Sequence, residues 1–451
     1  MRLRPPPVRH RHVPMRVRRH ALWAGTLLSI WSVACKADDI VADAQVDGSV
    51  RLYDYRRMYT SPAMPDASAL AAALLLNLRS GDAGGVSVAV SLAYANALGT
   101  RQSPVDRIDV TLMGRKNALG AVSQAYVQYR ASGWTLRAGD QYLDTPWQGM
   151  SDSRVLPAAY RALSARFDAG PAWSFEVART FRWKSRTSGR FFSDNLYYPT
   201  RYDGDPLYGG NASLPLDARA YDGTWLAGST YRHGMFSGQT WLYDFTRFAR
   251  MAYTEGTLTF PALHGVTPFL SGQLVEEWTT ADNTLVDTGT KLLGVAGRRV
   301  RSEVSGIQAG FRIERTRFDV SWNRVARQDG DTVGGGALVS PFTATYATDP
   351  LYTTSMLRGL VEQGPGWAWK ARLTQAFLGN RLQVVTAYTQ YRTLYRGDSH
   401  DVYLDLVYRF TGPLEGLQLR NRWERSVGGA NHLNPGNRPF SYNRVMISYA
   451  F

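Results

Sequence analysis

The sequence contains little cysteine and little histidine. Its one cysteine, Cys35, lies near the N-terminus, and only four histidines follow residue 37: His233, His264, His400 and His432. None of the four has a metal-ligand spacing or stands next to a nucleophile motif. We therefore expect no disulfides, no metal, no cofactor and no enzymatic activity.

Long apolar runs are also missing. The longest run after the N-terminal region, 69–76, is far shorter than the ~20 residues of a membrane helix. The apolar stretch 21–31 is too short as well. The chain therefore predicts no membrane helix.

Acidic residues are absent from the first 37 positions, which carry seven Arg and one Lys around the apolar stretch 21–31. Cys35 and Ala37 are small residues placed just before Asp38, as a signal peptidase requires. We predict that residues 1–37 are a cleaved signal peptide and that 38–451 form one exported domain. Met15 begins a leader of ordinary length and is the alternative start.

A strong basic excess is missing once this leader is removed. The leader holds 8 of the 52 basic residues and none of the 37 acidic ones, so the formal net charge falls from +15 to +7. So modest an excess does not favour a nucleic-acid partner.

Aromatic residues and glycine are plentiful, with 13 Trp, 25 Tyr, 17 Phe and 42 Gly. For an exported chain without a membrane helix, two classes remain. One is a secreted β-protein such as a propeller or a sandwich. The other is a transmembrane β-barrel, in which half of each strand is polar.

The last eight residues, 444–451, alternate cleanly. Val445, Ile447, Tyr449 and Phe451 share one face of a strand, opposite a more polar face. The pattern suits lipid on one side and water on the other. It resembles the C-terminal signature by which the barrel assembly machinery recognises outer-membrane barrels; the alternative is an ordinary edge strand of a soluble β-protein.

The connections between the C-terminal strands alternate in length. The stretches 379–380 and 411–416 are tight, whereas 394–399 and 428–437 are longer. Short turns at one rim and long loops at the other are typical of a barrel. We predict that loop 428–440 lies outside the cell and that turn 411–416 lies in the periplasm.

Alternating apolar and polar faces predict an all-β fold, an antiparallel transmembrane barrel of about 18 strands of ~10 residues each. The assigned strands are 47–57, 85–97, 121–130, 134–143, 161–168, 172–183, 219–231, 236–249, 267–278, 306–313, 318–326, 367–377, 381–392, 401–410, 417–425 and 441–451. Segments 60–84 and 281–300 have no clear assignment. The connections 144–160, 187–218 and 329–353 are too long for turns, and such loops are often functional.

Several of these segments resemble the OprD family of outer-membrane porins. The match is carried by 137–146 with 151–157, by 349–356, by 419–422 and the closing strand, and by 49–55 at the start. The loop motif around Asp152-Ser153-Arg154 is the most specific of them. The resemblance covers essentially all of 38–451.

The resemblance implies an 18-stranded barrel, monomeric or loosely trimeric, in the outer membrane of a Gram-negative bacterium. It also implies that loops three and seven fold inward as constriction loops and that a ladder of arginines lines one wall. Members of the family pass small carboxylate-bearing nutrients, either organic and aromatic acids or amino acids.

The residues themselves also support an arginine-lined pore. Arginine on the lipid face near mid-membrane costs about 2–4 kcal/mol, so these side chains belong in the lumen. There, guanidinium groups hand a carboxylate from one bidentate contact to the next. The predicted pore-lining residues are Arg51, Arg57, Arg137, Asp152, Ser153, Arg154, Lys370, Arg372, Arg420, Arg422 and Arg444. The alternatives are that the arginines only balance lumenal acids such as Asp405, Glu424 and loop aspartates, and that Asp152-Ser153-Arg154 is a structural latch of the loop.

These observations favour a substrate-selective porin for passive uptake of small carboxylate-bearing solutes, with outer-membrane lipid and the assembly machinery, through Phe451, as its partners. Within the pore, we expect Arg420 and Arg422 to lie at the constriction, faced by Arg154. Two alternatives remain: a non-conducting structural or adhesin barrel, and an outer-membrane hydrolase.

Overall fold

The computed structural model describes residues 43–61, 64–99, 104–198, 214–328, 330–342, 349–429 and 439–451. The signal-peptide prediction for 1–37 and its cleavage site lie outside these residues. Among the residues described, no helix is long and apolar enough to cross a membrane.

Eighteen strands form one antiparallel sheet in which each strand pairs with the next in the chain, and β18 pairs with β1 to close a barrel. The all-β barrel expected from the sequence is confirmed. The strands are β1 (Gln45–Tyr59), β2 (Ala67–Arg79), β3 (Val86–Asn96), β4 (Ala118–Ala131), β5 (Trp134–Gln141), β6 (Ala159–Ala169), β7 (Trp173–Lys184), β8 (Thr224–His233), β9 (Phe236–Phe245), β10 (Ala249–Thr259), β11 (Val266–Trp278), β12 (Arg301–Ile313), β13 (Thr316–Val325), β14 (Gly366–Phe377), β15 (Leu382–Thr393), β16 (Gly397–Arg409), β17 (Leu417–Gly428) and β18 (Phe440–Ala450).

The two rims of the barrel differ, as the sequence predicts. One rim, the turn rim, carries the short connections 80–85, 132–133, 170–172, 234–235, 260–265, 314–315, 378–381 and 410–416. The other, the loop rim, carries loop 1 (60–66), loop 2 (97–117), loop 3 (142–158), loop 4 (185–223), loop 5 (246–248), loop 6 (279–300), loop 7 (326–365), loop 8 (394–396) and loop 9 (429–439). The three predicted long connections are loops 3, 4 and 7. The longer connection expected at 394–399 is wrong, because β16 already begins at Gly397.

Two strands escape the sequence assignment. β2 lies in the unassigned segment 60–84, and the sequence does not predict β10 because its alternation indicates one strand over 236–249. In the structure β9 ends at Phe245, and the chain turns back within loop 5. The alternation of faces is seen on β12, where Ile307 is half exposed on the outside and Gln308 is buried on the inside.

The outer surface of the barrel is a continuous apolar band. Large apolar side chains are exposed there on strands all around the sheet, among them Leu74, Leu163, Trp225, Leu274 and Ile447. An exposed apolar surface of this extent is expected where a barrel contacts lipid.

One polar residue interrupts the outer face of β17. Asn421 donates a hydrogen bond of 2.8 Å from its amide nitrogen to the side-chain oxygen of Asn443 on β18. Pairing the two amides reduces the cost of placing a polar group on an apolar surface.

The described parts of loops 2, 3, 4, 6 and 7 fold into the barrel instead of standing above it. Their apolar residues form two clusters with inward-facing strand residues. One cluster joins Trp147, Tyr197 and Leu338 to β6–β15; the other joins Leu112 and Val155 to β1–β3 and β18. The inward-folded loops expected from the sequence are therefore present, and much of the loop-rim half of the lumen is filled.

Candidate functional site: the passage between loops 3 and 7

Loop 3 is fixed to the wall formed by β1. Both terminal nitrogens of Arg51 donate to the carboxylate of Asp152, at 2.6 and 2.7 Å, and one also donates to the backbone oxygen of Arg154 at 3.2 Å. The hydroxyl of Tyr55 donates to the backbone oxygen of Ser153 at 2.8 Å. Arg51 and Tyr55, two inward-facing residues of β1, thus hold the loop segment 152–154.

The other end of loop 3 is fixed to the opposite wall. The backbone N–H of Trp147 donates to the hydroxyl of Tyr243 on β9 at 3.3 Å, and the Trp147 ring meets Tyr253 on β10 edge-on. Because β10 is the strand diametrically opposite β1 in the strand order, loop 3 crosses the lumen.

Loop 7 enters from the remaining side. The N–H of Met356 donates to the carboxylate of Glu424 on β17 at 2.8 Å, and the ammonium of Lys370 on β14 donates to the backbone oxygen of Thr354 at 2.9 Å. The N–H of Tyr352 donates to the side chain of Gln273 on β11 at 2.9 Å. Loop 7 is therefore held by inward-facing polar residues along half of the barrel.

A cavity of about 690 Å³ lies between the two loops. It reaches from Arg422 on β17 to Gln239 on β9 and Glu255 on β10, which lie on well-separated walls. Its lining residues are Asp144, Thr145, Pro146, Trp147, Gly149, Met150, Ser151, Asp152, Ser153, Gln239, Glu255, Phe342, Pro350, Met356 and Arg422. The wall at Arg422 is therefore cationic, whereas Asp144, Asp152 and Glu255 are acidic, with Asp152 paired to Arg51, and the loops contribute apolar side chains.

The predicted pair Arg420 and Arg422 forms a network on the cationic wall. Arg420 makes two hydrogen bonds to the carboxylate of Asp405 on β16, at 2.8 and 2.5 Å. Arg422 donates to the hydroxyl of Tyr403 at 3.0 and 3.1 Å, and its Nε lies 3.6 Å from Asp405. Asp405 therefore offsets part of the positive charge, and of the two arginines it is Arg422 that lines the cavity.

A second basic group lies on β13 and β14. Arg372 and Arg317 both bind the buried carboxylate of Asp319, at 3.0 and 2.9 Å. Lys370, also predicted to line the pore, is buried and serves as an anchor for loop 7. The sequence analysis does not identify Arg317 and Asp319 as pore residues. Their i, i+2 spacing, with Arg317 directly before the predicted strand 318–326, nevertheless places both side chains on the same face.

Three other predicted residues lie behind the loops. Arg444 is 1% exposed and stacks on the rings of Tyr55 and Tyr442, at 4.9 and 4.4 Å. Arg57 stacks on Tyr442 at 4.9 Å, and Arg154 lies 5.7 Å from the Tyr55 ring and is 2% exposed.

The position expected for Arg154, facing Arg420 and Arg422, is therefore not the one observed. Asp152 and Ser153 of the same loop line the cavity instead. The reason is the ion pair with Arg51, which turns Asp152 towards the lumen side of β1.

Arg137 lies apart from the other predicted residues. Its Nε donates to the side chain of Gln128 on β4 at 2.8 Å, and it stacks on Tyr126. With Glu176 and Asp168 it lines a depression nearer the turn rim. The structure thus brings Asp152, Ser153 and Arg422 together around one cavity, with Arg51 holding Asp152, and leaves Arg137 outside it.

Loop 7 contains a buried acid of unusual pKa. Burial raises the pKa of Asp349 to about 6, although its carboxylate accepts hydrogen bonds from the hydroxyl of Thr354 and, at 3.1 Å, from the N–H of Leu351. Among the described residues, no group of three or more His, Cys, Asp or Glu side chains is arranged to hold a metal ion.

Comparison with known proteins shows likeness at the level of fold. The chain is similar to OccK9 (OpdG) of Pseudomonas aeruginosa, with a TM-score of 0.71, 17% identity, and coverage of 91% of this chain and 99% of that one. It is similar to P. aeruginosa OpdK, whose structure was solved with vanillate, with a TM-score of 0.70, 17% identity and coverage of 91% and 99%.

A BenF-like porin from Pseudomonas fluorescens Pf-5 gives a TM-score of 0.73 at 14% identity, with coverage of 91% and 99%. No family model and no curated protein matches the sequence. The sequence resemblance to the OprD family is thus matched by the fold, which is that of OprD-family porins.

Proposed function

We propose that this chain is a substrate-selective porin of the outer membrane, related to the OprD family, that passes small carboxylate-bearing solutes. The observation that carries the proposal is the cavity between loops 3 and 7, enclosed by a barrel with an apolar outer surface. A constriction of this kind restricts passage to small solutes and brings them within reach of the side chains that line it.

The charge of the cationic wall favours an acid. Arg422 and Arg420 present guanidinium groups that stay charged and bind carboxylates in bidentate fashion. Asp405 engages both arginines, yet the Arg420 and Arg422 side chains are 31% and 14% exposed and remain within reach of a solute. A carboxylate bound at Arg422 would therefore be held without breaking the Arg420–Asp405 pair.

The solved porins of this fold support the same substrate class. OpdK was crystallised with vanillate and OccK2 (OpdF) with glucuronate, and both ligands are small carboxylates. The apolar loop side chains Met150, Phe342 and Met356 at the cavity suit a solute with an apolar part. Both an aromatic acid, such as vanillate, and a sugar acid, such as glucuronate, are compatible with this lining.

The test is uptake and conductance of the purified protein in liposomes and planar bilayers. Replacing Arg420 and Arg422 with Gln is expected to lower uptake of benzoate and glucuronate more than uptake of a neutral sugar, and to shift ion selectivity towards cations. The matched control is R56Q/R250Q, which removes two arginines from the outer face, each paired with a neighbouring acid.

Three outcomes would contradict the proposal. Equal loss of acid and sugar uptake with unchanged selectivity would mean that Arg420 and Arg422 are structural. A folded barrel without conductance would favour the structural or adhesin alternative. Turnover of an ester, glycoside or peptide substrate by the purified protein would favour the hydrolase alternative.

A further inference from the structure

A groove runs along the outer face of the barrel at β4–β8. It has a volume of about 620 Å³ and is lined almost entirely by outward-facing apolar side chains. Ala138 on β5 and Ala165 on β6 form its floor, because their side chains are short. Ala138 is opposite Leu163, and Ala165 is opposite Leu136, so each small side chain leaves space beside a large one. The space above the two alanines is bordered by larger outward-facing side chains, among them Leu136, Leu163 and Trp225.

Three arginines lie on the same outward side, at the loop-rim end of the groove. Arg161 on β6 is opposite Arg182 on β7, and Arg179 on β7 is opposite Trp225, the second residue of β8. This places the guanidinium groups at the level where the apolar band ends. Arginine at such an interface costs little, about 0–1 kcal/mol, whereas it is costly at mid-membrane.

Arg179 is held rigidly in place. Its guanidinium stacks on the rings of Phe181 and Trp225, at 5.4 and 5.2 Å, and one terminal nitrogen donates to the backbone oxygen of Asp222 at 2.6 Å. The other terminal nitrogen has no hydrogen-bond partner among the described residues. This nitrogen is itself buried, so Arg179 offers an external anion its positive charge beside the groove and not a free N–H.

The neighbouring charges leave a positive excess. Arg161 binds the carboxylate of Asp140 through two of its nitrogens, at 2.7 and 3.0 Å. Asp222 lies 3.6 Å from Arg247. Arg182 is exposed and forms no ion pair with any carboxylate in the described part of the chain. The cluster therefore suits an anion.

We propose that this surface binds a phosphorylated lipid of the outer leaflet, with an acyl chain in the groove and its phosphate on Arg161, Arg179 and Arg182. Apolar burial in the groove and charge-assisted hydrogen bonds to phosphate act together, which is the usual design of a lipid headgroup site. The inference rests on the proposed location in a membrane and not on conduction or on the pore arginines.

The test uses native mass spectrometry of the full-length protein in detergent, with lipid A, dephosphorylated lipid A, phosphatidylcholine and inorganic phosphate as probes. The wild type is expected to retain lipid A and to lose most of that binding when the phosphates are removed. The variant R161Q/R179Q/R182Q is expected to bind lipid A at least roughly tenfold more weakly. The control R56Q changes an outer-face arginine on β1, which is remote from the groove, and is expected to bind normally.

The groove is tested separately with A138L/A165L, which fills its floor. This variant is expected to bind lipid A more weakly while all three arginines remain. Binding of inorganic phosphate with no preference for lipid A, equal binding of lipid A by the triple variant and the wild type, or equal binding of dephosphorylated lipid A would each overturn the proposal. Because none of these residues lines the cavity, conductance of the triple variant should equal that of the wild type, so failure here is distinguishable from failure of the proposed function.

Discussion

Arg51 on β1 holds Asp152 of loop 3 through two hydrogen bonds of 2.6 and 2.7 Å, across 101 positions of sequence. The arginine side chain is 10% exposed and the carboxylate 33% exposed. The pair therefore fixes the tip of a loop that crosses the lumen, and it places a carboxylate, not an arginine, at the edge of the cavity.

Breaking this pair should widen the passage. Either Arg51→Gln or Asp152→Asn leaves a charged partner without its counterion, which destabilises the docked loop by about 1–3 kcal/mol. We expect a higher and noisier single-channel conductance from each single variant. The double variant R51Q/D152N should lie closer to the wild type than the sum of the single effects; strictly additive effects would show that the pair does not fix the loop.

Opposite selectivity changes are expected at Asp405 and Arg422. Asp405→Asn removes the counterion of Arg420 and should raise anion selectivity, whereas Arg422→Gln should lower it. One charge near a narrow aqueous passage is worth about 1 kcal/mol, or about fivefold in relative permeability. The measurement is the reversal potential in a KCl gradient, with R56Q as the control; shifts of the same sign in both variants would exclude this assignment.

The sequence predicts the architecture well where a strand separates water from an apolar exterior. β16 and β17 alternate polar and apolar residues, and both were found. β2 was not found because its inward positions are alanines, Ala69, Ala71 and Ala73, which pack under loop 2 and not against water. A strand that contacts an apolar loop on its inner side loses the period-two polarity signal.

β10 was missed for the same reason. Its inward residues Ala249, Met251 and Tyr253 are buried against folded loops, and its outward face begins with Arg250. Near the loop rim, the inner face of β10 is therefore apolar and its outer face carries a charge, which is the reverse of the usual barrel pattern. Loop 5, only 246–248, gave no length signal to separate β9 from β10.

The arginine ladder was only partly predictable. Strand alternation identifies which arginines point inward, and it does so for Arg51, Arg372, Arg420 and Arg422. It does not show which of them a loop covers, since that depends on contacts such as the stacking of Arg444 on Tyr442 that join distant parts of the chain. Only the structure therefore shows which of the inward-pointing arginines remain exposed to the lumen.

Docking of loop 7 should weaken as the pH rises through the range of the Asp349 pKa. The folded-state pKa of Asp349 is about 6, above its ordinary value of 3.8, so the folded loop retains a proton that the undocked loop has released. Its contribution is fully present below about pH 4 and is lost as the pH rises towards 6, by up to about 3 kcal/mol.

Limited proteolysis of loop 7 between pH 4 and pH 7 measures this effect. The wild type should become more susceptible as the pH rises, and Asp349→Asn, which cannot ionise, should show a flatter profile. Since Asp401 and Glu424 also contact loop 7, the informative quantity is the difference between the two proteins. Identical profiles would assign the pH dependence to those other acids.

The closure of the barrel provides the last prediction. The N–H of Phe451 donates to the backbone oxygen of Gly48 at 3.0 Å, and the N–H of Gly48 donates back to the oxygen of Phe451 at 2.9 Å. The Phe451 ring covers Gly48, where an added Cβ would lie 2.8 Å from the ring, and it stacks on Tyr449.

Deleting Phe451 removes both hydrogen bonds and the ring at the seam between β1 and β18, next to the turn rim and far from the cavity. We expect a lower yield of heat-modifiable, folded barrel in outer membranes, with unchanged single-channel conductance in the molecules that do assemble. Gly48→Val should also lower the yield, because its Cβ would lie 2.5 Å from the backbone oxygen of Leu75 on β2 and 2.8 Å from the Phe451 ring. Normal yield with altered conductance would place the role of Phe451 in the pore and not in assembly.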